Sequence, residues 1–231
     1  MAKGRFYGVG VGPGDPELIT LKAVRVLKSC PVIAVPLNSM GKTLALEIAR
    51  GAVDIPEEKL LPLSFPMDKD ISKRAANYRA AADEIEKRLD AGLSTALITL
   101  GDVTIYSTAF YVGSIIREDG YDCELISGIP SFVAIAARLG VSLSETEGPL
   151  HVVPGHSMDM DEALSLSGTK VIMKSGSRLG EIKEALQRHG LLESAVLASD
   201  CGLPTEYLCT DLASAPDKLG YYTTLIVKDK E

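Results

Sequence analysis

Glycines alternate with other residues at the end of the first apolar run of this 231-residue chain. The four glycines of residues 8–14 are followed by Asp15, and a helix is predicted to begin near Pro16. Glycine removes side chains and permits positive φ, so this turn predicts a close approach of another molecule to the backbone. The spacing does not fit the dinucleotide motif G-x-G-x-x-G, because Pro13 or Asp15 stands where the third glycine is needed. A tight strand-to-helix turn that binds nothing is the alternative.

A second turn with a glycine and an acid follows the most apolar strand candidate, Thr95–Leu100. Ligands of open α/β sheets bind at the carboxyl ends of strands, where this pattern places Asp102. Its carboxylate can accept hydrogen bonds from ribose or amino groups, and Ser107 and Thr108 add polar contacts. Alternatively, Asp102 caps a helix that starts near Ile105.

Residues 36–43 resemble a phosphate-binding P-loop only at their end, Gly41-Lys42-Thr43. Pro36 stands at the first position of that motif, and proline has neither the amide hydrogen nor the φ freedom that a phosphate cradle uses. Lys42 can still hold a carboxylate as a point charge.

Histidines and cysteines do not form a metal-binding pattern. His151 and His156 have no second ligand of suitable type nearby, and no nucleophile elbow G-x-S-x-G is present. No C-x-x-C pair occurs among the cysteines, which are therefore predicted to be buried, reduced thiols of a cytoplasmic protein: Cys30, Cys123, Cys201 and Cys209.

Composition excludes several classes of partner. The net charge of −7 argues against nucleic acid, because phosphate binding needs a clustered positive surface. No apolar run reaches the roughly 18 residues that span a bilayer, and no signal peptide is recognisable at the start. The expectation is a cytoplasmic protein that binds neither nucleic acid nor membrane.

Apolar runs alternate with helical patterns along the whole chain, which predicts an α/β protein with mostly parallel strands. The strand candidates are Phe6–Gly10, Val32–Val35, Lys59–Leu63, Thr95–Leu100, Glu124–Ile126, Leu150–Val153, Lys170–Met173, Ala195–Ala198 and Thr223–Val227. The helix candidates are Leu18–Lys28, Thr43–Ala52, Ser72–Ala91, Phe110–Glu118, Ser131–Leu139, Asp161–Ser167 and Arg178–His189.

So many strands exceed one typical sheet, and the clearest break is the segment 127–130. We therefore predict two domains, residues 1–127 with a mostly parallel sheet and residues 128–231 with a mixed sheet. In the second domain, further polar or glycine-bearing loops lie at strand ends, at Met173-Lys174, 200–206 and 223–224. Together with the two earlier turns they can line one crevice.

Four segments resemble the tetrapyrrole methylases, the class III methyltransferases that use S-adenosylmethionine: residues 8–23, 101–108, 127–132 and 171–174. The resemblance covers nearly the whole chain. It implies two αβα domains with the cofactor in the interdomain cleft, and a homodimer. Within the family, segments such as 32–36 and 131–140 are most similar to members that methylate C20 of the corrin precursor precorrin-2, with or without cobalt.

Matched residue by residue, the resemblance implies these cofactor contacts: Pro13, Leu100, Gly101, Asp102, Ile105, Tyr106, Ser107, Thr108, Pro130, Ser131, Phe132, Met173, Lys174, Gly202 and Thr224. Two positions depart from the family's pattern. Val103 replaces a proline that many relatives carry, and Pro130 lacks an amide hydrogen for a polar contact.

Methyl transfer to carbon requires alignment, exclusion of water and afterwards only a modest base. The candidates for that base are Asp102, Tyr106 and His151. The implied tetrapyrrole substrate is rich in carboxylates, and the predicted basic partners near the crevice loops are Lys42, Arg138, Lys174 and Arg178.

Three rival functions stay open from the sequence. A non-catalytic tetrapyrrole carrier would bind the macrocycle without consuming the cofactor. A nucleotide-dependent kinase would use Gly41-Lys42-Thr43. Another family member would methylate a different ring carbon, as uroporphyrinogen methyltransferase or precorrin-4 methyltransferase does.

Overall fold

The computed structural model describes residues 2–37, 43–66, 70–144 and 147–229. The strands are β1 Phe6–Gly10, β2 Val32–Leu37, β3 Leu60–Ser64, β4 Thr95–Thr99, β5 Cys123–Ile126, β6 Leu150–Pro154, β7 Thr169–Met173, β8 Ala195–Ser199, β9 Tyr207–Cys209 and β10 Thr223–Val227. The helices are α1 Leu21–Ser29, α2 Leu44–Ala52, α3 Ile71–Asp90, α4 Thr108–Glu118, α5 Ser131–Leu139, α6 Met160–Ser165 and α7 Leu179–Arg188.

The chain divides into two compact units, residues 1–130 and residues 131–231. The sequence placed this division after residue 127, within the same connecting segment. We call these parts the first unit and the second unit.

The first unit is built on a five-stranded sheet of order β3-β2-β4-β1-β5, in which every pair is parallel. Apolar side chains of the strands point to both faces, which explains why β4 is a continuous apolar run. On one face Val9, Val35 and Ile98 pack with α1 and α2. On the other face Phe6 and Leu97 pack with α3 and α4. The predicted αβα layering with a parallel sheet is therefore confirmed for this unit.

The second unit contains a five-stranded sheet of order β6-β7-β10-β8-β9. Only β6 and β7 run parallel, and the three other pairs are antiparallel, so the predicted mixed sheet is confirmed. Helices α6 and α7 pack on the sheet through a core that includes Ile172, Leu197 and Leu225. Helix α5 packs against β8 and β10. The short edge strand β9 was not predicted.

Capping side chains set where several of the helices begin. The predicted helix 18–28 is in fact a turn of 3₁₀-helix at Pro16–Leu18 followed by α1, because the Thr20 hydroxyl accepts from the amide of Ala23. Asp70 and Ser107 cap α3 and α4 in the same way.

Candidate cofactor site

The first unit brings three loops together at the carboxyl edge of its sheet, after the adjacent strands β4, β1 and β5. Gly12 and Gly101 exchange backbone hydrogen bonds of 3.2 and 2.8 Å. A Cβ at Gly128 would lie 2.1 Å from the Gly101 carbonyl oxygen, and one at Gly10 would lie 2.6 Å from the same atom. We call Gly10, Gly12, Gly101 and Gly128 the glycine node.

The node corrects the interpretation of the first glycines. The backbone that approaches Gly10 and Gly12 is the chain's own, since their contacts are to neighbouring loops. Gly8 faces the core, where a Cβ would lie 2.8 Å from a Leu125 methyl group and 3.1 Å from one of Val103. These three glycines therefore assemble the loops that a ligand would meet.

Asp102 fixes this assembly with a buried carboxylate. One oxygen accepts from the amide and hydroxyl of Thr104, at 2.8 and 2.5 Å, and the other accepts from the amide of Gly128 at 2.9 Å. The side chain is only 7% exposed. Asp102 therefore does not cap a helix, and its oxygens hold the loop after β4 to the loop after β5.

The remaining predicted residues of this unit lie along the same edge. Ser107 is buried and caps α4 through the amide of Ala109, so its hydroxyl serves the helix, whose first residue is Thr108. Leu100 and Ile105 are half-buried. Pro13 is buried, and Asp15 accepts from the amide of Glu17 to start the next turn.

Tyr106 has a left-handed backbone with φ of 49° and a side chain that is 44% exposed. Burial of part of the ring raises the pKa of its phenol above the ordinary value. Among the described residues, two further non-glycine residues adopt positive φ, Lys174 at 56° and Asp200 at 51°. All three follow the carboxyl end of a strand. Such strain clusters at functional sites and costs of order 1–3 kcal/mol per residue.

The second unit has a corresponding edge. In the antiparallel pair β7–β10, Met173 lies opposite Thr224, and Lys174 follows directly. The loop after β8 carries Gly202, which is exposed and has φ of 80°. The structure thus brings the predicted residues Met173, Lys174 and Thr224 together at one end of the sheet, with Thr224 buried within β10.

The loop after β8 is held by Glu206. One of its oxygens accepts from the amide of Gly202 at 2.8 Å, and the other accepts from the guanidinium of Arg138 at 2.9 and 3.0 Å. The pKa of the Glu206 carboxyl is lowered, most by the hydrogen bonds from Arg138 and next by the one from the Gly202 amide. The predicted substrate partner Arg138 is thus engaged in fixing a loop.

Two other predicted residues of the second unit make local contacts. His151 stands near the start of β6, opposite Lys170 and away from the carboxyl edge, and its Nε2 donates to the Ser167 carbonyl at 2.9 Å. Arg178 donates to the Gly155 carbonyl at 3.2 Å and pairs with Glu181 at 2.7 Å.

Pro130, the last residue of the first unit, is half-buried, and α5 of the second unit begins with half-buried Ser131 and buried Phe132. Lys42 lies outside the described residues, as does most of the segment that resembles a P-loop. Thr43, at its end, caps α2 through the amide of Leu46.

The described ranges hold no group of three metal-ligating side chains. All four cysteines are free thiols; three are buried and Cys123 is half-buried. Burial raises the pKa of Cys30 and Cys201 to about 11, which keeps both thiols protonated and poorly nucleophilic at neutral pH. Across these same ranges, every helix is too short or too polar to cross a bilayer.

Sequence reasoning missed several residues that organise these edges. Gly128 appeared only as part of a domain break, and Glu206 only as part of a turn. Thr223 was not singled out, yet its hydroxyl and carbonyl join three loops of the second unit. Their position in the sequence could have indicated their importance, because each of these residues stands in or beside a loop at a strand end.

Known proteins share this architecture. A solved structure of uroporphyrin-III C-methyltransferase from Thermus thermophilus in complex with S-adenosylhomocysteine superposes with a TM-score of 0.70 and 19% identity, over 97% of this chain and 92% of that one. This likeness identifies the fold as that of a methyltransferase with two α/β units.

The sequence model of the Tetrapyrrole (Corrin/Porphyrin) Methylases matches residues 5–216. The chain is 40% identical to a probable cobalt-precorrin-2 C(20)-methyltransferase of Methanocaldococcus jannaschii, over 74% of this chain and 72% of the relative. It is 31% identical to the cobalt-precorrin-2 C(20)-methyltransferase of Salmonella typhimurium, over 97% and 96%. The chain therefore belongs to the tetrapyrrole methylases, as its motifs indicated.

Proposed function

We propose that this protein transfers a methyl group from S-adenosylmethionine to C20 of precorrin-2 or of its cobalt form, in corrin ring synthesis. The observation that carries the proposal is the 31% identity to the Salmonella enzyme of that activity, which extends over 97% of the chain. A relative matched so nearly end to end shares both units, and the loops at their strand ends lie inside the matched region.

We assign the cofactor to the loops that the glycine node and Glu206 hold. In the first unit, the half-buried side chains of Leu100 and Ile105 suit the apolar faces of a purine and a methionyl chain. In the second unit, Met173 offers a further half-buried apolar side chain, and Gly202 is exposed. When bound, the cofactor supplies an electrophilic methyl group, so the residues need only orient the partners and exclude water.

Asp102 and Tyr106 then have different tasks. Asp102 is a positioning residue, because its oxygens accept from Thr104 and Gly128. Tyr106 presents a phenol whose raised pKa keeps it protonated at neutral pH, which suits a hydrogen-bond donor to the substrate better than a base. His151 does not act as the base, since it lies away from the strand-end loops and its ring nitrogen bonds the Ser167 carbonyl.

The decisive experiment is incubation of the purified protein with methyl-¹³C-labelled S-adenosylmethionine and precorrin-2, with and without cobalt. Carbon NMR of the product should place the label on C20. Label on another ring carbon would favour a different methylase, whereas binding of both ligands without transfer would favour a carrier. Heat-denatured protein is the control.

We further propose that the protein works as a homodimer in the cytoplasm, on the strength of its family resemblance. Light scattering coupled to size-exclusion chromatography would give twice the chain mass of 24.6 kDa, and a monomer at micromolar concentration would contradict the assembly.

A further inference from the structure

Two aromatic residues stand beside the edge of the second unit's sheet where Met173, Lys174 and Thr224 lie. Neither of them is among the site residues predicted from the sequence. Tyr221 and Tyr222 immediately precede β10, are 46% and 44% exposed, and meet edge to face with ring centres 5.4 Å apart. The Nζ atom of Lys174 lies 5.5 Å from the centre of the Tyr221 ring. A cation over the face of a ring at this distance is attracted to it.

The backbone on either side of this pair is fixed by Thr223. Its carbonyl accepts from the amide and hydroxyl of Ser175, at 3.1 and 3.0 Å, and its hydroxyl donates to the Gly220 carbonyl at 2.7 Å. A Cβ at Gly176 would lie 2.0 Å from the Gly220 oxygen, so the two loops touch directly. The two loops that contain Lys174 and Tyr221 are thus held in place.

Lys174 itself has a left-handed backbone, φ 56°, at the end of β7. This conformation is costly for a residue with a side chain, and from this position the long basic side chain extends to the ring of Tyr221.

We propose that Lys174 and Tyr221 form a carboxylate subsite, in which the ammonium binds the anion and the ring keeps the ammonium in position. This inference rests on the proposed function. Carboxylates are then available from two sources, the methionyl part of the cofactor and the side chains of the tetrapyrrole. Their chemistry is the same, so the experiment must separate them.

The test measures dissociation constants by calorimetry and absorbance titration, which do not depend on turnover. The probes are S-adenosylhomocysteine, 5′-methylthioadenosine, which lacks the amino-acid carboxylate, and precorrin-2. The variants are Lys174→Met, Lys174→Arg, Tyr221→Leu and Tyr221→Phe. Lys28→Met, at an exposed position in α1, controls for the loss of one positive charge.

We expect Lys174→Met to weaken one carboxylate ligand by about tenfold, and Tyr221→Leu to weaken the same ligand by less. Lys174→Arg and Tyr221→Phe should stay near the wild type, because they keep the charge and the ring. Weaker S-adenosylhomocysteine binding with unchanged 5′-methylthioadenosine binding assigns the cofactor carboxylate. Weaker precorrin-2 binding alone assigns the substrate.

Equal affinities of wild type and Lys174→Met for all three probes would overturn the subsite, even if the protein methylates precorrin-2. Conversely, a wild type that binds these ligands but transfers no label would refute the proposed activity and leave the subsite supported by its binding data. A wild type that binds none of the probes would overturn both.

Discussion

Replacing Asp102 by Asn tests whether a buried carboxylate assembles the cofactor loops. The substitution keeps the volume of the side chain but leaves one oxygen in place of two. If that oxygen stays with Thr104, the new amide group faces the amide of Gly128, so two donors meet where a hydrogen bond of 2.9 Å stood. The site is 7% exposed, which leaves little room for water to compensate.

The expected cost follows from these contacts. A hydrogen bond to a charged group contributes about 1.5–3 kcal/mol, and an unsatisfied buried donor costs about 1–3 kcal/mol. Since the structure can relax in part, we expect Asp102→Asn to lower the free energy of unfolding by about 2–4 kcal/mol. Loosening of the loop at Gly101 should also raise the dissociation constant of S-adenosylhomocysteine about tenfold.

Urea denaturation followed by circular dichroism measures the first quantity, and calorimetry measures the second. Asp15→Asn is the matched control, because Asp15 accepts from the amide of Glu17 in an exposed turn and asparagine caps such a turn about as well. If Asp102→Asn unfolds at the same urea concentration as Asp15→Asn and binds the ligand equally well, the carboxylate does not hold the loops.

Three further outcomes are expected. Gly128→Ala places a Cβ 2.1 Å from a carbonyl oxygen and should lower the melting temperature by several degrees, whereas Gly148→Ala, with nothing within 4 Å, should not; equal melting curves would contradict the node. Tyr106→Phe should lower kcat less than about tenfold and leave the acid limb of the pH profile unchanged, because a protonated phenol does not act as the base; loss of the acid limb in this variant would show that it does. The lowered pKa of Glu206 adds stability above about pH 4.3, its unfolded pKa, and this stability disappears as the pH falls through the lower folded pKa. The difference in the urea concentration at the unfolding midpoint between wild type and Glu206→Gln should therefore shrink from pH 7 to pH 3. A constant difference would show that the ionisation of Glu206 does not contribute to stability.

Local patterns sufficed for most of the fold. The apolar runs predicted nine strands within a few residues, because a buried parallel strand needs a continuous run of such side chains. Strand β9 was missed because three residues at a sheet edge, with exposed Leu208 at the centre, carry too little pattern. The break at 127–130 was visible because glycine and proline interrupt the helical and strand periods.

The candidate site was less predictable, since its organisation depends on contacts between distant residues. Sequence placed Asp102 at a strand end but could not show that Gly128, a residue of another loop, donates to it. It placed His151 on a strand without showing which end of the sheet that position occupies. The positions of the cofactor loops were thus predictable, whereas the partners of their polar side chains were not.

The three left-handed residues in the loops that follow strands have a consequence for engineering. Glycine would relieve the backbone cost at Tyr106, Lys174 or Asp200, so a library screened for survival of heating should accept glycine at these positions. A library screened for product formation should retain the native side chains at Tyr106 and Lys174, where we assign contacts with the ligands. Heat tolerance and turnover would then compete at these positions, and sequences optimised for one would diverge there from sequences optimised for the other.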